Sequence, residues 1–511
     1  MYIGDWLQRR AQLTPDKIAL IDMLNNRRAI TYREWNDAAT QAAAFLSALG
    51  VRKGDRVAIL ALNCVEYLDI WFACGKLGAI LQTLNYRLTP NELYGLIVDA
   101  TPTVLIYGPE QVEQVQAIRA QGASIQHYVA LDTTALSEPD DRTFETRTEY
   151  SITVLPTIEL GYDDPWVICY TGGTTGLSKG AILTHGNILW NSINTVMSWG
   201  LIPDDVAVLN SPLFHTGGLN VFTAPLVHIG GASIICRSFD AVQVFDLVES
   251  GVVTLYFGVP TMFITMQQHP RWPETDFSRL KLIISGGAPC PIPVFERFWE
   301  CGVEFKTGYG LTEAGPNTFW LPPADVRRKP GAVGVPLFHV DVKVVDERGN
   351  RCPPDQMGEL LVRGPHVCAG YWNCPEETAQ TIVGGWLHTG DLAYCDAEGY
   401  YFVVGRLKDM IISGGENIYP AEVESVLASH SAVAEVALIG VPDARWGEVG
   451  RAVVVRKSDS LINEEELIAF GRERMAAYKA PKSVVFVDTL PKNAAGKIDK
   501  QLLRQHHGTQ E

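Results

Sequence analysis

Short apolar runs alternate with amphipathic stretches along the first three hundred residues. Residues 56–60, RVAIL, predict a buried strand, and 66–78 predict a helix that packs on it. Residues 103–107 and 128–131 repeat the strand signal. Thr31 to Trp35, TYREW, opens another helix, with Thr31 as N-cap and Glu34 closing a capping box. Further strands are predicted at 206–212, 232–236, 252–258, 280–285 and 303–307, with helical stretches between them. Such βα alternation predicts parallel sheets covered by helices. From 331 to 405 the pattern changes. Short β-runs at 340–345, 358–363 and 400–404 are separated by the turns ERGN, PPDQ and DAEG, which predicts a small antiparallel region. After Arg406, Leu407-Lys408-Asp409 reads as a hinge. Pro420 then starts a helix, and β-runs at 452–455 and 483–487 accompany a helix at 464–476. The expected architecture is α/β. A large N-terminal domain, 1–407, combines doubly wound sheets with a small β-barrel-like region. A small mobile α+β domain, 408–511, follows.

The strands of the second hundred and fifty residues end in loops rich in Gly, Pro, His and Thr: FHTGG after 206–212, PTM after 252–258, GGAP after 280–285 and GYGLTE after 303–307. In open α/β sheets the ligand crevice lies at the carboxyl ends of the strands. The loops containing Gly173, His215, Thr261, Gly287 and Tyr309 are therefore expected to meet at one site. The most chemically loaded stretch is 170–185, YTGGTTGLSKGAILTH. Its first eleven residues hold four glycines, three threonines, one serine and one lysine. An apolar run, 166–169, enters it, and a helix-like run, 187–199, leaves it. Glycines let a backbone approach a polyphosphate; N–H groups and hydroxyls donate to the oxygens, and a lysine adds charge. The loop is not a Walker A motif, because Lys179 follows Ser178 and not a glycine, and it is not a dinucleotide fingerprint.

The net charge of −16 opposes binding to nucleic acid or anchoring on an anionic membrane, so an anionic ligand must be held by local donors. No apolar run reaches about 18 residues, and the start, MYIGDWLQRRAQ, has no signal-peptide core. A cytoplasmic protein without stable membrane insertion is expected. The ten cysteines show no C-x-x-C spacing and read as reduced and mostly buried.

The string TGGTTG-x-x-KG resembles the phosphate loop of the adenylate-forming superfamily, which includes acyl- and aryl-CoA synthetases, luciferases and peptide-synthetase adenylation domains. Gly172 and Ser178 depart from the common TSGTTG-x-PKG form. The resemblance assigns Thr171, Gly172, Gly173, Thr174, Thr175, Gly176 and Lys179 to ATP phosphates. It continues in GYGLTE: Gly308, Tyr309 and Gly310 for adenine, Thr312 for the α-phosphate, and Glu313 with Thr174 for Mg²⁺. Gly287, Ala288 and Pro289 belong to the same nucleotide site. GWLHTGD resembles the ribose motif, with Asp391 accepting from both hydroxyls and Arg406 as a second contact. Lys497, in PKNAAGKIDK, matches the lysine that binds the substrate carboxylate and the α-phosphate during adenylation. Lys408 matches the hinge about which the small domain swings. The swing would remove Lys497 from the cleft and bring Gly414, Gly415 and Glu416 to line a pantetheine channel. Taken singly, a turn aspartate, a surface arginine or a lysine near the end of a chain would be structural; it is their joint order over 170–500 that is specific. Arg87, in NYRLTP, reads as a structural or solvated arginine.

The resemblance thus implies an ATP-dependent acid–CoA ligase, with ATP, Mg²⁺ and coenzyme A as cofactor and co-substrates. The acyl pocket is expected between 212–222, 259–262 and the helix carrying Met197 and Trp199, with His215 as a gate or wall counted among the catalytic candidates. PLFHTGGLNVF lacks the Asp by which amino-acid-activating relatives bind an amino group. Its apolar residues suit a medium- or long-chain fatty acid; an aromatic acid is the runner-up, because Gly217 and Gly218 leave room for either. A carrier-protein acceptor, a luciferase-like oxygenase and an inactive nucleotide-binding paralogue are the other readings. The sequence leaves the oligomeric state open, a homodimer included.

Overall fold

The computed structural model describes residues 5–151, 158–171, 178–414, 416–457, 460–493 and 497–508. Two seven-stranded sheets form the bulk of the N-terminal part. One runs, in spatial order, Arg142–Thr143, His127–Ala130, Val104–Tyr107, Arg56–Leu60, Ile80–Thr83, Pro165–Thr171 and Lys179–Thr184. The other runs Lys306–Thr307, Leu282–Ser285, Leu255–Gly258, Val206–Leu209, Ala232–Ile235, Ile18–Asp22 and Arg28–Thr31. Each is parallel except for its last strand.

The pairing differs from the sequence expectation at two places. The first 160 residues do not build one sheet by themselves: the hairpin Ile18–Asp22 and Arg28–Thr31 joins the second sheet beside Ala232–Ile235. The phosphate loop does not lead from strand to helix either. It joins two antiparallel strands, Pro165–Thr171 and Lys179–Thr184, and the helix His185–Trp199 begins only after the second. The alternating residues of KGAILT carry enough β-pattern for a strand, but they overlap the glycine-rich motif and were hidden by it.

Local signals did fix the helix starts. Thr31 accepts from the Glu34 N–H while the Glu34 carboxylate accepts from the Thr31 N–H, the expected capping box. Between the sheets lies Val65–Leu77, where only Glu66 is not buried, a helix apolar on nearly every side because it is enclosed. Its Trp71 and Phe72 pack against Trp35 and Trp166.

A five-stranded antiparallel sheet follows, built from Asp341–Val345, Gly358–Arg363, Trp386–Cys395, Tyr401–Arg406 and Ile382–Val383. The remaining residues make a further five-stranded sheet, of which the hairpin Val433–Asp443 with Gly447–Arg456 is the centre, and the helices Pro420–Ala428, Glu464–Arg474 and Lys500–His507. Their apolar side chains form clusters of their own, around Leu438 and Val454 on one face and Ile439 and Val453 on the other.

Candidate active site

Leu255–Gly258, Leu282–Ser285 and Lys306–Thr307 are neighbouring parallel strands, so the loops after them open on one edge. Gly286 N–H donates to the Gly258 carbonyl (3.0 Å) and Gly308 N–H to that of Ser285 (2.7 Å), so the ladder runs on into the glycine loops. Beyond it the chain doubles back: a Cβ on Gly310 would stand 1.6 Å from the Pro316 carbonyl oxygen, which leaves room for glycine alone. This fold-back places Tyr309. Its hydroxyl donates to Asp391 Oδ2 at 2.5 Å.

Asp391 and Arg406 face each other across the antiparallel pair Trp386–Cys395 and Tyr401–Arg406. Arg406 Nε lies 2.9 Å from Asp391 Oδ1, and its Nη1 donates to the Thr389 carbonyl at 3.0 Å. The two ribose candidates are thus joined to the adenine candidate. Burial raises the Asp391 carboxyl, and Arg406, Tyr309 and Lys497 act against that rise. A residue that the motifs did not reveal, Glu359, fixes the turn: Oε2 meets His388 Nδ1 at 2.9 Å, and Oε1 accepts from the Gly390 N–H at 3.1 Å.

Glu313 sits in the short turn Thr312–Ala314 and is buried. Its Oε1 accepts from the Tyr371 hydroxyl at 2.9 Å and from the Thr171 hydroxyl at 3.4 Å. Lys179 opens the return strand of the phosphate hairpin. Its ammonium lies 5.6 Å from the Tyr371 ring centroid and 3.9 Å from Glu377 Oε1. Gly172, Gly173, Thr174, Thr175 and Gly176 lie outside the described residues, as does Gly415. Among the described residues there is no cluster of three or more His, Cys, Asp or Glu. One buried carboxylate with hydroxyls beside it fits Mg²⁺, which keeps waters and takes substrate phosphate oxygens in preference to an all-protein cage.

Lys497 comes from the far end of the chain to this crevice. A methyl on Gly287, which has a φ of +79°, would lie 4.0 Å from Lys497 Cε. The side chain keeps contact with solvent. Crowding by the protein and the charge of Arg406 lower its pKa, while Asp391 and Glu313 act to raise it. Gly287, Ala288, Tyr309, Glu313, Asp391, Arg406 and Lys497 are therefore gathered within one cleft, with Thr312 on the turn that carries Glu313 and Pro289 exposed beside Ala288. Gly414 and Glu416 are not part of it in this arrangement: Gly414 N–H donates to the Trp446 carbonyl at 2.8 Å, and Glu416 begins an exposed strand of the small sheet. Lys408 is exposed in the turn Leu407–Asp409.

His215 caps the short helix Thr216–Asn220 and packs its ring on Phe214. Burial, then the charges of Lys497 and Arg87, lower its pKa to about 3, so it is a neutral imidazole at physiological pH. Arg87 is thus nearer the site than its sequence context suggested. Its guanidinium lies 5.4 Å from the Tyr86 ring centroid and 5.9 Å from that of Phe214. Cys169 lies below the cleft, and burial pushes its thiol up to about 11, which argues against a nucleophile.

The walls expected to hold the acyl group are aromatic. The Phe257 ring lies between two glycine loops: a methyl on Gly217 would come within 3.3 Å of it and one on Gly286 within 2.9 Å. Phe222 meets Trp199 edge-on at 5.8 Å, and Trp199 stacks on Trp320 at 5.9 Å. A cavity of about 10 Å³ remains between Leu209, Ser211, Gly217, Phe222 and Phe257, room for about one water. Met197 departs from the expectation that it lines this wall with Trp199, being 55% exposed. It lies two residues from Trp199, and on a helix that spacing points to a different face.

Comparison with known proteins agrees with this geometry. Residues 7–372 match the AMP-binding enzyme family and 422–497 match the AMP-binding enzyme C-terminal domain. A feruloyl-CoA synthase of Amycolatopsis sp is 43% identical over 99% of both chains. A long-chain-fatty-acid–CoA ligase of Mycobacterium tuberculosis is 35% identical over 99% of this chain and 98% of its own. Among solved structures, an anthranilate CoA ligase in complex with anthranoyl-AMP superposes with a TM-score of 0.91 at 29% identity, covering 99% of this chain and 97% of that one. MatB from Rhodopseudomonas palustris, 34% identical over 99% of each chain, scores 0.89 in its ATP-bound structure and 0.79 in its apo structure. The chain belongs to the AMP-binding enzyme family of adenylate-forming proteins, in which it is an AMP-forming acid–CoA ligase.

Proposed function

We propose that the acid is aromatic, of the arylacrylate or arylacetate type. The observation that carries this is the ring of Phe257, whose edge meets the Gly217 and Gly286 loops and which lines one small cavity together with Phe222. Rings prefer offset or edge contacts with other rings, and a shift of Phe257, flanked by glycines, would open the present cavity of about one water into a slot for a planar group. The 43% identity to a feruloyl-CoA synthase, and 38% to an indoleacetate–CoA ligase of Aromatoleum aromaticum, covering 99% of this chain and 98% of that one, support the same reading. A fatty acid is the second reading. It is supported by Val259 and Met262 beside the slot and by the fatty-acid–CoA ligase relative.

In the first step a carboxylate oxygen attacks the α-phosphorus of ATP, and the bond to the β-phosphate breaks with its electron pair leaving on pyrophosphate. Lys497 is placed to neutralise the charge that gathers on the α-phosphoryl oxygens. Tyr309 offers a face to adenine, and Asp391 with Arg406 holds the ribose. Glu313, with Thr174 by resemblance, would hold Mg²⁺, whose charge offsets that of the β- and γ-phosphates. In the second step the CoA thiolate attacks the acyl carbonyl and AMP leaves. Neutral His215 walls the reacting carboxylate and adds no charge that would compete with Lys497.

The test is CoA-dependent AMP release across free acids from acetate to palmitate, with benzoate, phenylacetate, indoleacetate and hydroxycinnamates. The expected maximum in kcat/KM falls on an aryl acid. A maximum between C8 and C16 would move the function to fatty acyl activation, with the nucleotide site unchanged. ATP–pyrophosphate exchange without CoA-dependent release would point to a carrier-protein acceptor.

A further inference from the structure

We propose that Tyr371 is a positioning residue that orients both charged partners of the ATP phosphates, the carboxylate of Glu313 through its hydroxyl and the ammonium of Lys179 through its ring. This rests on the adenylation chemistry above but concerns a side chain outside every motif that suggested it.

The argument begins with which oxygen is occupied. Both hydroxyls beside Glu313 converge on Oε1, that of Tyr371 at 2.9 Å and that of Thr171 at 3.4 Å, the latter equally near the Lys179 carbonyl. Among the described residues no hydrogen bond reaches Oε2. A carboxylate tethered by one oxygen presents the other in a fixed direction, which is what a hard cation needs from a single protein ligand. Tyr371 is itself held. The strand Lys179–Thr184 pairs with its backbone at Ala181, and its N–H donates to Thr378 Oγ1 at 2.9 Å. These bonds fix the backbone from which the ring reaches Glu313 and Lys179. The same ring lies 5.6 Å from Lys179 Nζ, within range for a cation over an aromatic face. Among the described residues Glu377 pairs with that ammonium at a loose 3.9 Å, a contact that an incoming phosphate can replace while the ring contact stays. One phenol thus reaches both residues assigned to the phosphates and their metal.

The two parts of the side chain separate in experiment. Tyr371→Phe keeps the ring and removes the tether. Mn²⁺ binding is read by electron paramagnetic resonance in the presence of α,β-methylene-ATP and without acid. The dissociation constant of the metal is expected to rise about tenfold, the usual scale for losing a partner behind a metal ligand. ATP–pyrophosphate exchange at saturating metal should return to within about twofold of wild type, with the KM for the acid unchanged. Tyr371→Leu removes the ring as well, and should in addition raise the KM for ATP at saturating metal. Thr171→Val removes the second donor to the same oxygen and must shift metal affinity in the same direction, which keeps the test decisive if Tyr371→Phe is unstable. Unchanged Mn²⁺ affinity in these variants, or a loss of exchange that saturating metal does not restore, overturns the proposal while leaving the ligase reading intact. A wild-type protein that binds no metal with the nucleotide overturns both.

Discussion

Lys497 enters a cleft built by residues as near in the chain as Arg406 and as far as Gly287, and we propose that it serves one half of the reaction. Asp391 and Glu313 favour its charge while crowding and Arg406 disfavour it. A bound α-phosphate would add anionic charge and hold the ammonium protonated. Lys497→Ala should lower acyl-adenylate formation by about 10²–10³-fold, the scale for losing a preorganised charge at a transition state. Thioester formation from supplied acyl-adenylate should stay within about threefold, since AMP leaves without that charge. Pyrophosphate exchange and single-turnover thioester formation read the two steps separately, and an equal loss in both would refute the assignment. At this scale the sequence was informative wherever a motif places several chemical groups within a few residues, as in GYGLTE. It was silent on Tyr371, 58 positions from Glu313, and on Glu359, 31 from Gly390, because those contacts exist only once strands pair. Arg87 was set aside for the same reason: nothing near it in the chain announces Phe214.

Among the elements, the strands that end at the site were legible because each is an apolar run closed by glycine or proline. Away from it, Arg56–Leu60, Gly358–Arg363 and Ser483–Val487 begin and end where the pattern put them, whereas the site strand expected at 303–307 forms only as Lys306–Thr307. Register between distant strands was not legible. Nothing local in Ile18–Asp22 says that it pairs with Ala232–Ile235. The two glycine loops around Phe257 combine both lessons, since their composition was visible and the ring between them was not. Phe257→Ala leaves a cavity the width of a ring in the acyl slot. If the slot holds a planar acid, kcat/KM for the preferred aryl acid should fall by about 10–100-fold relative to a branched or bulkier acid, the range that a hydrophobic pocket can discriminate. A uniform fall across the acid panel would show instead that Phe257 serves only packing.

Across the whole molecule the question is how one cleft serves two reactions. The small domain has its own apolar clusters, so it can move as a unit. With Lys497 near Gly287, we read the present arrangement as the one for adenylation. The pivot we infer is Lys408. Just beyond it, Asp409 is paired with Arg504 of Lys500–His507 at 2.8 Å, so the chain is fastened to the small domain immediately after the turn. Lys408→Pro tests this directly. The residue lies in a 3₁₀ turn, whose φ proline can adopt. Among the described residues its N–H serves as donor in no hydrogen bond outside the regular helices and strands. The arrangement seen here should therefore survive, and exchange of pyrophosphate should stay within about threefold of wild type. Rotation about the pivot would be restricted, and CoA-dependent AMP release should drop by about 10²-fold or more, since a conformational step then limits turnover. Equal retention of both activities would place the pivot elsewhere. Loss of both would mean that the turn itself, and not its rotation, is what the reaction requires.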